Sequence, residues 1–218
     1  MRRRVLAAVA AVLLCAAAAD GEHPLLRPIH DVDVTYALGV GGSDPSGPGA
    51  GTSLHERLRW RAAAQALRID PPTAGLYVII DLAARRMSTV RTAEKAVIEM
   101  AAPDNATGMP DSAAAAAVQR GTDMVAGLIC TEWDMTDAAG EAARLCLTDD
   151  GVLLRARTGG RTLLTAETVQ YGVLDADLFQ VPTGYTQRWM GPQPSASQPA
   201  APQAARPQAA SPLPASPQ

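Results

Sequence analysis

Residues Ile129 to Arg157 read "ICTEWDMTDAAGEAARLCLTDDGVLLRAR". At its centre, Asp150-Gly151 is a strong two-residue hairpin signal, because such turns need the positive φ that glycine adopts without strain. Folding there sets Leu147 opposite Leu154 and Leu145 opposite Ala156, with Val152 on the same face. Setting Cys130 opposite Cys146 then brings Ile129 to Leu147, Thr131 to Leu145 and Trp133 to Ala143. Parity gathers Ile129, Trp133, Leu145, Leu147, Val152 and Leu154 on one apolar face. It leaves both cysteines on the other, beside Arg144 and Arg155. The segment therefore reads as successive antiparallel strands, although a short helix in "DAAGEAARL", 137–145, is an alternative for the end of the hairpin.

The same two cysteines bear on chemistry. Fifteen residues separate them, and no C-x-x-C occurs. A zinc site needs about four ligands, and His23, His30 and His55 lie far upstream. A thioredoxin-type pair would sit two residues apart at a helix start. In an exported chain, an even cysteine count points to a structural disulfide, Cys130–Cys146.

Export is read from "MRRRVLAAVAAVLLCAAAADGEH". Arg2, Arg3 and Arg4 precede the apolar run Val5–Leu14, and Ala17-Ala18-Ala19 supplies a small-residue cleavage site. An uncleaved anchor and a lipid-modified Cys15 are the alternatives. Cleavage after Ala19 removes those three arginines, so the net charge of −3 becomes −6. Such a balance argues against a nucleic-acid partner. No later stretch is long and apolar enough to span a bilayer, so the mature chain is expected not to be an integral membrane protein. The other end, 191–218, is rich in Pro, Ala, Gln and Ser, with Arg206 its one charged residue. It lacks the apolar surface to offset ordering and is expected to be a disordered tail. The division is thus 1–19 signal peptide, 20–190 one β-rich domain, 191–218 tail.

The first half of that domain follows the same logic. In "HDVDVTYALGV", 30–40, the even positions are mainly apolar; in "LHERLRWRA", 54–62, Leu54, Leu58, Trp60 and Ala62 alternate with Arg57, Arg59 and Arg61. Folding about Ser46, in the loop "GGSDPSGPGAG", sets Val34 against Leu58 and Val32 against Trp60. On the opposite face Asp33 meets Arg59 and Asp31 meets Arg61. One register satisfies both faces, which makes the arginines cross-strand ion-pair partners before they are an anion site. "GLYVIIDLAARRMSTVRT" reads as two strands around Asp81–Ala84, and "KAVIEM" as another. "DSAAAAAVQRG", 111–121, is the best helix, with Asp111 or Ser112 as its cap and Gly121 at its end. "DADLFQVPTGY" closes the domain with a turn capped by Asp175.

Catalytic signatures are absent: no G-x-S-x-G, H-E-x-x-H, P-loop or dinucleotide fingerprint. No catalytic residue, cofactor or metal is expected, and the chain reads as not an enzyme. A carboxylate-pair hydrolase is the distant alternative, since such spacing is spatial.

"VAGLICTEW", "CLTDDGVLLR" and "LFQVPTGY", within Val125–Tyr185, resemble segments of uncharacterised exported proteins of Gram-negative bacteria. Those are similar to the lipoprotein-localisation-factor fold. The resemblance implies a mainly β protein, a curved antiparallel sheet or incomplete barrel with a short helix packed on it. It also implies a periplasmic location and, in some relatives, carriage of acyl chains or lipoproteins. The expectation is a monomeric binding or carrier-like protein holding an apolar ligand, such as a lipid or lipoprotein segment. The residues expected to face that ligand are Val32, Val34, Leu58, Trp60, Ile129, Trp133, Leu145, Leu147 and Leu154. The alternative is an envelope interaction protein acting through the sheet edge or the tail.

Overall fold

The computed structural model describes residues 23–39, 54–103, 116–136 and 140–191. The expected signal peptide, residues 40–53 with the expected loop, most of the expected helix and nearly all of the expected tail lie outside them. The described chain is mainly β, with twelve strands in one sheet. Strand β1 (Val32–Leu38) stands in its middle. On one side follow β2 (Leu54–Arg61), β3 (Ala66–Asp70), β4 (Leu76–Asp81), β5 (Arg86–Arg91) and β6 (Ala96–Ala101). On the other, from the far edge inward, lie β7 (Val118–Val125), β8 (Leu128–Thr136), β9 (Ala142–Leu147), β10 (Leu153–Thr158) and β11 (Arg161–Tyr171). The last strand, β12 (Thr186–Trp189), runs parallel to β6; every other pairing is antiparallel.

The sheet is open but curved. Strand β7 comes within 8 Å of β11, Cα to Cα, with three strands between them. In a flat sheet they would stand about 19 Å apart.

Register assigns the faces. One apolar row runs Tyr171, Val32, Trp60, Leu67, Ile80, Met87, Met100; the next runs Val169, Val34, Leu58, Ile69, Val78. Val32, Val34, Trp60, Leu67 and Ile80 are buried in the main core cluster. The β1–β2 pairs are those read from the sequence: Val34 with Leu58, Val32 with Trp60 and Asp33 with Arg59.

The opposite face carries an ion ladder. Asp33 accepts from Arg57 Nε (2.8 Å) and Nη2 (2.6 Å) and from Arg59 Nε (3.3 Å), and Arg59 also reaches Asp70 (2.5 Å). Arg68 bonds Asp70, lies 3.9 Å over the Tyr77 ring and donates to the carbonyl of Leu178. That last bond belongs to the return segment after β11, which crosses this face. Its Val181 and Tyr185 pack on Tyr77, Ile79, Val90 and Val97 before β12 joins the edge. The Asp175 cap is as expected, accepting from Asp177 N–H.

Four readings change. Asp31 does not pair with Arg61: its two oxygens accept the backbone N–H groups of Ala62 (2.8 Å) and Leu174 (3.1 Å). Strand β8 slides two residues along β9, so Thr131 faces Leu147 and Trp133 faces Leu145. A bulge at Leu154 sets Leu147 opposite Leu153, while Leu145 keeps Ala156. Finally, Val118–Arg120 open β7 and do not finish a helix, and Ala142–Leu145 is strand. The two-residue slide of β8 preserves parity and conserves the face of each side chain, which is what burial specifies most strongly. The bulge does not: Leu154, expected on the face of Leu145 and Leu147 with Val152, joins the cluster of the two cysteines, and Val152 with it.

Candidate functional site: the Trp60 end of the sheet

The disulfide joins Cys130 and Cys146, both buried. They are diagonal neighbours, since Cys146 is paired with Glu132 and Cys130 with Asp123. Around them the sequence places a charged row: Arg155 bonds Glu132 (2.9 Å) and Asp123, while Asp134 accepts from Arg144 (2.6 Å) and Arg120 (2.6 Å). The bonds from Arg144 and Arg120 hold the Asp134 carboxyl down at about 2. A carboxylate depressed on folding adds stability above its unfolded value of about 3.9, and that stability is lost as pH falls through about 2. Unfolding midpoints measured between pH 5 and 2 should therefore fall less steeply for Asp134→Asn than for the wild type. The difference should be at most about 1 kcal/mol, because the group is exposed to screening solvent.

The residues expected to face a ligand separate into three places. Val32, Val34, Leu58, Trp60 and Leu154 share the main cluster, where the bulge seats Leu154 with the disulfide. Trp133, Leu145 and Leu147 form a second cluster with Met135 and Ala156. Ile129 is 68% exposed and faces Met124 across the β7–β8 hairpin. The most enclosed, Val32, Val34 and Leu154, are 0% exposed. Of the nine, Trp60 alone borders an open depression at this end of the sheet.

That depression is open and has a volume of about 1140 Å³. Three chain segments converge on it: the lead-in to β1, the end of β2 and the exit from β11. Each has a local cause. The Trp60 indole N–H donates to the carbonyl of Pro28 (2.7 Å), fixing the lead-in across the end of β2. Ile29 N–H donates to Asp150 O (3.0 Å), tying the same segment to the β9–β10 turn. Gly151 in that turn has φ +88°, and a Cβ there would collide with the carbonyl oxygen of Arg27. Asp31 then clips the β2 end to the β11 exit through Ala62 and Leu174. The tethers leave apolar side chains facing outward: Ile29 is 56% exposed, Tyr171 46% and Val173 97%. Burial, then a hydrogen bond to Asp150, raises the pKa of the Tyr171 hydroxyl on the wall. Arg61 and Ala62 complete the part of the lining that concerns ligand chemistry.

Sequence reasoning missed most of this site. Strand pairing located Trp60, but Ile29, Tyr171 and Val173 lie at strand ends, where alternation carries no signal.

No family model and no curated protein matches the sequence. Among solved structures, the chain is similar to an uncharacterised conserved protein from Thermus thermophilus, at 13% identity and a TM-score of 0.52, over 74% of this chain and 91% of that one. At that identity the likeness extends to the fold alone. PNGF-II is similar at 12% identity and a TM-score of 0.48, over 74% of this chain but 31% of its own length. MucB, solved with MucA from Pseudomonas aeruginosa, is similar at 15% identity and a TM-score of 0.46, over 70% of this chain and 56% of that one. The expected mainly β architecture is what the twelve-stranded sheet shows. Among the described residues, no helix is long and apolar enough to cross a membrane.

Proposed function

We propose that this chain is a non-catalytic periplasmic binding protein that holds an apolar ligand, an acyl chain or lipid or lipoprotein segment, at the Trp60 end of its sheet. One observation carries the reading. Exposed Ile29, Tyr171 and Val173, from separate segments, surround one concavity backed by the edge of Trp60 and by Ala62. Single exposed apolar residues are ordinary on any surface, whereas several converging on a concavity mark a binding site. The eight other candidates do not border this opening, so the ligand is placed at the mouth and not against the sheet wall. The periplasmic assignment rests on the export pattern of the N-terminus and on a buried disulfide.

Titration of the mature protein with a fluorescent fatty-acid probe tests the reading. Val173→Asp should weaken binding about tenfold, the equivalent of ~1.4 kcal/mol. It should leave the melting temperature unchanged, because a side chain 97% exposed has little packing to lose. Absence of probe binding by the wild type would overturn the proposal.

A second reading has its own observation. Met124 (65% exposed) and Ile129 face each other on the hairpin that forms one edge of the sheet. An envelope interaction protein would dock a partner there, and a partner whose capture is lost on Met124→Arg but kept on Val173→Asp would favour it.

A further inference from the structure

We infer that the ligand of the Trp60 depression carries a carboxylate and that Arg61 is the residue that receives it; this rests on the reading just proposed. The sequence register supplies Arg61 with a partner, Asp31, just as it supplies Arg59 with Asp33. The second pair forms. The first does not: the oxygens of Asp31 turn to the backbone N–H groups of Ala62 and Leu174. Arg57, Arg59 and Arg68 all hold carboxylates on the ladder. Arg61, two residues beyond Arg59 on the same strand, has no hydrogen-bond or ion-pair partner among the described residues, and it is half-buried in the wall of an apolar depression. Asp31 is the one acidic side chain on that wall, and Arg27, the other arginine there, already has a partner.

A guanidinium held against apolar surface without a counter-ion suits an amphiphile whose chain meets Ile29 and Val173 and whose anionic head meets the cation. Its planar fork matches two coplanar oxygens, and one available positive charge balances a single negative one. The fork suits a carboxylate and a phosphate alike; the charge balance is what favours a fatty carboxylate over a phosphate monoester, which carries close to two charges.

Displacement of a neutral fluorescent alkyl probe by sixteen-carbon competitors reads this directly, at concentrations below micelle formation. Palmitate should displace the probe about tenfold more effectively than hexadecanol, as expected for one charge-assisted pair, and hexadecyltrimethylammonium should be weakest. Arg61→Gln should bring palmitate down to the level of hexadecanol without changing hexadecanol itself, and Arg61→Lys should restore part of the difference. Equal displacement by palmitate and hexadecanol in the wild type, or a preference that survives Arg61→Gln, would overturn the inference while leaving the apolar site standing. Hexadecyl phosphate outcompeting palmitate would overturn the carboxylate assignment. If the probe itself does not bind, the apolar site falls, and this inference with it.

Discussion

Trp60→Ala is expected to cost about 3–5 kcal/mol of stability, the range for truncating a buried aromatic. Trp60 is 4% exposed and sits in register between Val32 and Leu67. Alanine leaves a cavity in the main cluster and removes the indole donor, so the Pro28 carbonyl loses its partner. The lead-in segment then loses one of its ties, while those of Ile29 to Asp150 and of Asp31 to Ala62 and Leu174 remain. Chemical denaturation measures the total, and Trp60→Phe separates its parts. Phenylalanine keeps most of the volume and loses the hydrogen bond, so its cost should be about 1–2 kcal/mol. A loss of only about 1–2 kcal/mol for Trp60→Ala would mean that Trp60 is a wall residue with little packing behind it. The ligand would then lie deeper than the mouth.

Removing the disulfide should be comparably severe. Cys146→Ala opens a loop of sequence separation 16, for which the chain-entropy model gives ~3 kcal/mol and measured losses run about 2–5. Position 146 lies between Glu132 and Arg155 in the sheet, so loosening it also loosens the charged row at Asp123, Glu132 and Arg155. Denaturation of the wild type with and without reductant should reproduce the mutant's shift, and peptide mapping of periplasmic protein should find Cys130 joined to Cys146. Both sulfurs are buried, so reduction should be slow until the fold opens. The double variant Cys130→Ala/Cys146→Ala should resemble the single one. A much larger loss in the single variant would assign the excess to a stranded thiol and not to the lost bond.

Where alternation spans a strand, it identified the strand. The β1–β2 register was legible because two independent patterns, Val and Trp on one face and Asp and Arg on the other, agree on a single alignment. The β8–β9 alignment was less legible. Assuming that bonded cysteines face each other put it two residues out, because a disulfide tolerates a diagonal pair with Cα atoms 5.3 Å apart. Strand β3, "ALRID", went unread although Leu67 and Ile69 alternate and Pro71 ends the run; five residues carry too little period to stand out. Nothing local signals that β12 returns to pair with β6, since a parallel edge strand needs no turn and Thr186–Trp189 is exposed throughout.

By itself, then, the sequence determined the β architecture, the faces of β1 and β2, the central hairpin register and the identity of the disulfide, but not the face of Leu154, which the bulge turns over. The first three follow from period-two burial and from turn residues, which are local properties, and the disulfide from the export pattern and an even cysteine count. Tertiary structure alone decided where the depression beside Trp60 forms and that Arg61 lines it without the partner that the register offers. Both depend on Asp31, which pattern pairs with Arg61 but which the fold turns toward Ala62 and Leu174. Leu174 is 143 residues away along the chain, and only folding brings its backbone N–H within reach of that carboxylate. An unsatisfied backbone donor at the closure of the sheet costs more than an exposed ion pair returns, so Asp31 goes to the backbone, and Arg61 has no partner among the described residues.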